Sequence, residues 1–227
     1  MSTYEHRMWD NSPCVLPTGK VVCVGRNYAD HARELNNPVP DSPILFIKPS
    51  TAVVPFEPGF AIPTGQGACH HETEIALLIG KTLCGAEPAA VAPAIVGLGI
   101  GLDLTLRELQ SQLKEKGHPW ERAKAFDGAC PLTPFVPASE FGPLDRLSVS
   151  LTVNGEVRQQ GNSEQMLHPI PELVAYMSSV FTLQPGDVIL TGTPAGVAPL
   201  AVGDRLVATL GERFSFQTQV FAPLTSI

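Results

Sequence analysis

The chain has 227 residues, 44% of them hydrophobic and 16% charged, which fits one globular domain and argues against a disordered protein. Its 15 lysines and arginines are outnumbered by 22 aspartates and glutamates, so nucleic acid and anionic membrane are excluded as main partners, because both require clustered positive charge. No stretch reaches the about 20 apolar residues of a transmembrane helix, and the cysteines form no C-x-x-C pair, so a cytoplasmic protein with free thiols is predicted.

The first part of the chain predicts a strand, a short helix and then further strands. Val21–Gly25 is the first strand, and Asn27–Leu35 is the helix, with Asn27 as its N-cap and Asn36–Pro43 ending it. The dipeptide Asn154-Gly155 predicts a hairpin turn. Apolar runs bounded by turn residues predict the other strands at Ile44–Lys48, Glu72–Ile79, Ile95–Asp103, Val149–Val153, Val188–Thr191 and Leu206–Leu210.

Two longer helices are predicted, and both have sequence signals at their ends. Thr105 and Glu108 form the pattern of a capping box, and the helix that follows should end near Lys116, before Gly117. Pro171–Phe181 is the second helix, with proline in its first turn. Many short strands with few helices favour a mainly β architecture, a β-sandwich or barrel-like fold, over a doubly wound α/β fold.

Two glutamates at the start of one predicted strand form a candidate metal site. Residues i and i+2 of a strand share a face, so Glu72 and Glu74 point the same way and repel each other. A hard divalent cation with oxygen ligands would resolve this repulsion, although a solvated strand end would also do so. The adjoining His70 and His71 are predicted to be structural, and one of them could orient a carboxylate.

Asp103 strengthens the metal hypothesis. It ends an apolar, glycine-rich strand that should cross the interior, where a carboxylate needs a partner. Three carboxylates without a thiolate favour Mg²⁺ or Mn²⁺ over zinc.

A histidine and a glutamate on the first helix form a candidate acid–base pair. His31 and Glu34 are three residues apart, so they share a helix face and can touch. A carboxylate beside an imidazole fixes its tautomer and raises its basicity, as a general base for water requires. An exposed surface pair is the alternative.

Several cations, an amide and a glycine-rich loop are candidate contacts for substrate oxygens. Arg26 follows a strand, where loop residues often meet ligands, and Lys48 ends an apolar run. The loop after Thr191 contains glycines that let backbone amides approach a carboxylate, and it lacks the ending of a nucleotide-binding P-loop. The complete set of candidates is Arg26, Lys48, Arg107, Gln110, Lys124, Gly192 and Thr193.

Taken in order, these motifs resemble the fumarylacetoacetate hydrolase family, and most closely its short branch of acylpyruvate hydrolases and oxaloacetate decarboxylases. The resemblance divides the chain into an N-terminal extension, 1–19, and a single catalytic domain, 20–227. The motifs are Gly25-Arg-Asn-Tyr28, His31-x-x-Glu34, Phe46-Ile-Lys-Pro49, His71-Glu-x-Glu74, Asp103-x-Thr105, Lys124-x-Phe126 and Gly192-Thr-Pro-x-Gly-Val197.

The resemblance implies a mixed β-sandwich roll, usually a homodimer, that binds Mg²⁺ or Mn²⁺ through Glu72, Glu74 and Asp103. It also implies that the segment of His31 and Glu34 is a lid over the substrate, and that Lys124 stabilises developing negative charge. The positions of Arg107, Gln110 and Thr193 are expected to surround the substrate.

The function expected from these residues is metal-dependent cleavage of a carbon–carbon bond in a small 2-keto acid. The cation would stabilise a pyruvate enolate, formed by hydrolysis of an acylpyruvate with His31, Glu34 and Lys124 as catalytic residues, or by decarboxylation of oxaloacetate. Amides near Gly192 and Thr193 would hold the substrate carboxylate. One alternative is isomerisation or decarboxylation of an unsaturated dicarboxylate from aromatic catabolism. Another is a non-catalytic metal-dependent binding protein.

Overall fold

The computed structural model describes residues 4–34 and 40–223. Its helices are α1 (Ala29–Glu34), α2 (Arg107–Glu115), α3 (Glu121–Lys124) and α4 (Ile170–Val180). Its strands are β1 (Val21–Gly25), β2 (Ile44–Lys48), β3 (Val53–Pro55), β4 (Phe60–Ala61), β5 (Cys69–His71), β6 (Thr73–Ile79), β7 (Ile95–Leu102), β8 (Thr105–Leu106), β9 (Cys130–Leu132), β10 (Val136–Pro137), β11 (Ser148–Val153), β12 (Glu156–Asn162), β13 (Val188–Leu190), β14 (Ala198–Pro199), β15 (Arg205–Leu210) and β16 (Phe214–Phe221).

The largest sheet is mixed and runs through the centre of the molecule. Its strand order is β2-β1-β13-β6-β7-β9-β3, and β10 also pairs with β7. Every residue of β6 is buried, and β7 is buried except at Val96. Such continuous apolar runs are typical of strands that are covered on both faces. The polar groups at the ends of β6 and β7 therefore lie inside the protein.

A second sheet, antiparallel except for the parallel pairing of β16 with β4, packs beside the first, and the two together form the sandwich. Its order is β12-β11-β15-β16-β4, and a third, small sheet has the order β14-β5-β8. Strands β11 and β16 alternate buried and less buried residues, as expected for a sheet with one face on the core. The prediction of a mainly β fold with few helices is confirmed. No helix of the described residues is long and apolar enough to cross a membrane.

The predicted hairpin and the ends of the longer helices are largely confirmed. Asn154 and Gly155, both at positive φ, connect β11 to β12 as a primed hairpin turn requires. Helix α2 ends one residue before Lys116, and Gly117 follows with φ of 63°. The helix predicted at Pro171–Phe181 is α4, shifted by one residue.

Two predicted helix caps are wrong. Thr105 lies in β8, where its hydroxyl donates to the carbonyl of Asp103, and α2 begins only at Arg107 without a side-chain cap. The Asn27 side chain does not cap α1, because its Oδ1 accepts from the amide of His168 and its own amide donates to the carbonyls of Thr191 and His168. Leu35, predicted as the end of that helix, lies outside the described residues, as does half of the segment predicted to end it.

Candidate metal centre and cavity

Strand pairing brings the three predicted metal ligands together. Glu72 lies between β5 and β6, Glu74 is in β6, and Asp103 follows β7. Antiparallel pairing places Glu74 opposite Gly101, and the amide of Asp103 donates to the carbonyl of Glu72 at 2.8 Å. All three carboxylates are buried, and one oxygen of each lies within 4.8 Å of the others. Residues about 30 positions apart thus form one acidic cluster, which we call the carboxylate triad.

The carboxylate triad is balanced by three cations from other parts of the chain. Lys124 in α3 donates to Glu72 at 2.7 Å and to Asp103 at 2.6 Å, and Arg107 in α2 pairs with Glu72. Lys48 in β2 is fully buried, with its ammonium 2.8 Å from Asp103. Three negative and three positive charges therefore meet in the interior, where a charge without a partner is costly.

Lys48 lies behind the carboxylate triad. Its ammonium donates to the carbonyl of Ala129 at 3.1 Å and to the carbonyl of Lys124, so every contact it makes is with the protein framework. The structure therefore gives Lys48 the position of a brace for Asp103 and α3. Lys48 is not among the residues that line the cavity at the triad, and its contact with substrate stays a prediction.

The triad's protonation equilibria reflect this crowding. Burial alone raises the pKa of Glu72, but Lys124 and Arg107 outweigh burial and hold that pKa well below its usual value. Burial raises the pKa of Glu74 well above its usual value, and the negative charges of Asp103 and Glu72 raise it further. Burial lowers the pKa of Lys124, but the two carboxylates it contacts raise it overall. The site thus favours additional positive charge near Glu74.

The triad fits a hard divalent cation. Asp103 Oδ1 is buried and accepts no hydrogen bond from the described residues, although Lys48 lies near it, so a lone pair remains for a ligand. Burial raises the pKa of the nearby thiols of Cys69 and Cys130 to about 12, so neither offers a thiolate. An all-oxygen donor set of this kind suits Mg²⁺ or Mn²⁺.

We expect the affinity of the metal-stripped protein for Mg²⁺ to rise with pH. Because the pKa of Glu74 is raised in the metal-free state, a proton competes with the cation for this carboxylate until the pH exceeds that pKa. Calorimetry in two buffers with different ionisation enthalpies will count the protons released per ion bound. Glu74→Gln should bind weakly at every pH. Binding by the wild type without proton release near neutral pH would contradict this expectation.

A small cavity opens directly onto the triad. Predicted site residues dominate its lining, which also includes aromatic side chains. The lining residues are Val24, Gly25, Arg26, His31, Phe46, Glu72, Glu74, Asp103, Arg107, Gln110, Lys114, Trp120, Lys124 and Thr193.

Arg26 enters this cavity from a strained position. It directly follows β1 and adopts φ of 61°, in the left-handed region that non-glycine residues rarely occupy. Such outliers cluster at ligand sites, where the surrounding structure enforces them. The position agrees with the prediction that Arg26 contacts substrate.

The predicted acid–base pair is formed. His31 is buried and lines the cavity, and its Nδ1 lies 3.3 Å from Glu34 Oε2. Glu34 also accepts hydrogen bonds from the amide of Gly196, which fastens α1 to the glycine-rich loop. If Nδ1 carries the proton toward Glu34, Nε2 has its lone pair for a substrate or water.

The glycine-rich loop holds protein groups at one wall of the site. The amide of Gly192 donates to Glu74 at 2.6 Å, so in this structure it orients a carboxylate of the triad rather than a substrate. Thr193 lines the cavity, and its hydroxyl donates to the carbonyl of Thr73 at 3.0 Å. Gly192 has φ of 95°, and a Cβ there would come within 2.6 Å of the Asn27 side chain. Only glycine therefore fits this approach.

Gln159 connects the two sheets at the site, and sequence reasoning missed it. Its carbonyl oxygen accepts from the amide of Thr73 and from His71 Nδ1, while its amide donates to Thr193. His71 thus braces Gln159, and within residues 4–34 and 40–223 it makes no hydrogen bond to a carboxylate. Gln159 lies between the exposed polar residues Arg158 and Gln160, so no apolar pattern in β12 indicated that its side chain is buried.

Lys114 and Trp120 were missed as well, although one signal was available. Lys114 lies seven residues after Arg107 and four after Gln110, so all three share one face of α2. The side chains of all three line the cavity. Because Arg107 and Gln110 were candidates, their spacing on α2 also made Lys114 a candidate on the same helix face.

The chain is similar to known proteins over most of its length. Oxaloacetate tautomerase YcgM of Escherichia coli is 52% identical over 207 residues, covering 91% of this chain and 94% of the relative. Human mitochondrial oxaloacetate tautomerase FAHD1 is 42% identical over 204 residues, covering 89% and 92%. The structure of fumarylpyruvate hydrolase from Pseudomonas aeruginosa in complex with Mn²⁺ and pyruvate matches with a TM-score of 0.90 at 36% identity, covering 98% and 97%.

These similarities extend over nearly the whole chain, as does the match to a family model. Residues 20–221 match the model described as fumarylacetoacetate (FAA) hydrolase C-terminal. The predicted resemblance is thereby confirmed: the chain belongs to the fumarylacetoacetate hydrolase family.

Proposed function

We propose that this protein is a divalent-metal-dependent enzyme that forms the enolate of a small 2-keto acid, with keto–enol interconversion of oxaloacetate as its main activity. The observation that carries the proposal is the buried carboxylate triad, with the ammonium of Lys124 and the imidazole of His31 lining the same cavity. Two relatives that are 52% and 42% identical are named oxaloacetate tautomerases, which favours this substrate over other 2-keto acids.

Glu72, Glu74 and Asp103 would hold the cation, which supplies Lewis-acid polarisation of the 2-keto group and its adjacent carboxylate. The first contribution of the chain's own residues is electrostatic. Lys124 presents a protonated ammonium in the cavity, where low polarity strengthens its attraction for negative charge that develops on the keto oxygen. Arg107 and Gln110 bond to each other at 2.8 Å and line the same cavity, so they restrict the orientations open to a substrate.

Proton transfer is the role we propose for His31, because it lines the cavity and lies beside Glu34. Interconversion of oxaloacetate moves one proton from C3 to the oxygen on C2, with no net change in atoms or electrons. With Glu34 accepting from Nδ1, the Nε2 of His31 would take the proton from C3 and deliver it to the oxygen on C2, and the reverse reaction would follow the same path. Burial of this imidazole keeps bulk water from competing for the proton.

Cleavage of a carbon–carbon bond is the second candidate, and the similarity to a fumarylpyruvate hydrolase favours it. For an acylpyruvate, His31 would activate a water to attack the distal carbonyl; for oxaloacetate, loss of carbon dioxide from C4 gives the same enolate. The fumarylpyruvate hydrolase that matches this structure was solved with pyruvate, the product such cleavage leaves. Isomerisation of an unsaturated dicarboxylate also needs only enolate formation and proton transfer. A purely metal-binding role is disfavoured, because it needs no acid–base pair.

A panel of substrates tests the proposal. We expect the wild type with Mg²⁺ or Mn²⁺ to interconvert oxaloacetate faster than it cleaves oxaloacetate, acetylpyruvate or fumarylpyruvate. Ultraviolet absorbance of the enol and solvent-deuterium exchange at C3 follow the first reaction, and pyruvate release follows the others. His31→Ala should lose about 10²- to 10⁴-fold in kcat while retaining metal affinity, as expected when a general base is removed.

His118→Ala is the matched control, because His118 is exposed beyond the end of α2. Faster cleavage than interconversion would make the hydrolase or decarboxylase the main activity. Oxaloacetate interconversion that persists in full after the cation is removed by a chelator would contradict the proposal.

A further inference from the structure

One face of α2 runs along the cavity and places three polar side chains in sequence. Arg107 pairs with Glu72 of the carboxylate triad, Gln110 comes one turn later, and Lys114 one turn after that. At 1.5 Å per residue, Lys114 lies about 10 Å beyond Arg107 along the helix axis. Side chains on a helix lean toward its N-terminus, so Lys114 is directed back over the cavity. It therefore belongs to the end of the cavity that is farther from the triad.

Lys114 is held at this end by an aromatic ring rather than by an acid. Its ammonium lies 5.3 Å from the centroid of the Trp120 ring, which also lines the cavity. Within residues 4–34 and 40–223, no carboxylate forms a salt bridge with Lys114. The side chain is only half exposed, so solvent compensates its charge incompletely.

The surroundings of Lys114 are strongly positive. Burial lowers its pKa, and the charges of Arg26, Arg107 and Lys124 lower it further, against a smaller opposing effect of Glu72. Lys124 and Arg107 are already paired with the triad, whereas Lys114 adds a positive charge that the triad does not balance. An anion bound at this end would relieve that repulsion.

We propose that Lys114, with Arg26 beside it, forms a subsite for a second carboxylate, so that the enzyme selects 2-keto acids that carry a negative charge at both ends. This inference rests on the proposed function and goes beyond it by naming the residue that sets the substrate class. The triad end holds the 2-keto acid group, and the Lys114 end holds the distal carboxylate. The placement of charge agrees with this assignment, because a cation at the triad and the ammonium of Lys114 would each face one carboxylate of a dianion.

The test compares oxaloacetate with its 4-ethyl ester, which keeps the 2-keto acid end and lacks the second negative charge. We expect Lys114→Gln to raise KM for oxaloacetate about 10- to 100-fold, the effect of losing one charge-assisted contact, with kcat nearly unchanged. KM for the ester should change less than about threefold, within the range of a neutral surface substitution. Lys114→Arg keeps the charge and should restore most of the affinity for oxaloacetate.

Lys116→Gln is the matched control, because it removes the same charge from an exposed position two residues later. A purely structural role of Lys114 would raise KM for both substrates equally, and that result would overturn the inference while leaving the proposed function intact. An unchanged KM for oxaloacetate in Lys114→Gln would overturn it too. A wild type that turns over neither oxaloacetate nor the ester would instead refute the proposed function, and this inference with it.

Discussion

Replacing Asp103 by asparagine is expected to abolish metal binding and turnover together. The change keeps the shape of the side chain but removes one of three charges that would hold the cation, and it leaves Lys48 buried without its carboxylate. Loss of outer partners of a metal ligand typically costs 10- to 100-fold in affinity, so loss of a ligand's charge should cost more than about 100-fold. Calorimetric titration of stripped protein with Mn²⁺, and turnover of oxaloacetate, measure the two effects.

Asp145→Asn provides the comparison for this variant, because Asp145 is an exposed acid in a short turn far from the triad in sequence. It should bind Mn²⁺ and turn over oxaloacetate like the wild type. If Asp103→Asn retained Mn²⁺ affinity within a few-fold of the wild type, the carboxylate triad could not be the metal site. Loss of fold as the cause is excluded if the circular dichroism spectrum of the variant is native.

Lys124→Met is expected to lower both the stability of the metal-free protein and kcat, and added Mg²⁺ should restore only the stability. Without metal, the substitution leaves Glu72 and Asp103 buried with one cation fewer, which should cost about 3–5 kcal/mol of unfolding free energy. For a chain of this size that lowers Tm by about 6–20 °C. A bound Mg²⁺ supplies the missing positive charge, so saturating Mg²⁺ should restore much of the Tm. Because nothing replaces the ammonium toward the substrate, kcat should stay about 10²- to 10³-fold low.

Thermal unfolding with and without Mg²⁺, followed by steady-state kinetics at saturating Mg²⁺, measures both parts. Lys81→Met, at an exposed lysine, should leave Tm and kcat unchanged. If Mg²⁺ restored both Tm and kcat of Lys124→Met, the ammonium would be only a counter-ion for the triad. If Mg²⁺ restored neither Tm nor kcat, the ion would not bind at the carboxylates of Glu72 and Asp103 that Lys124 contacts.

The sequence predicted correctly those features that a local pattern of residues determines. Strands β1 and β2 have the predicted bounds because apolar runs end at residues that a buried strand cannot continue. Asp103 was identifiable because an acid that ends a buried strand must find a partner. The three carboxylates of the triad meet because β6 and β7 pair with each other. The sequence predicted both strands, whereas the topology of the sheet determines that they are neighbours.

The sequence was misleading where a side chain finds its partner far along the chain. Asn27 has the chemistry of a helix cap, yet its amide bonds to His168 and Thr191, which are 141 and 164 positions away. Gln159 likewise reaches Thr73 over 86 positions. Lys48 ends an apolar run, and its partners are Asp103 and the carbonyls of Lys124 and Ala129, all more than 50 positions away. Local propensity cannot predict such contacts, because tertiary packing determines them.

The cations around the carboxylate triad have a consequence for the protein without a bound metal. A zinc finger is unfolded without its ion, because the free energy of metal binding is also its free energy of folding. Here Lys48, Lys124 and Arg107 already offset the repulsion among the carboxylates, so we expect the fold to persist when no cation is bound. If the triad binds Mg²⁺ or Mn²⁺ as proposed, one ion can then replace the other without refolding of the chain.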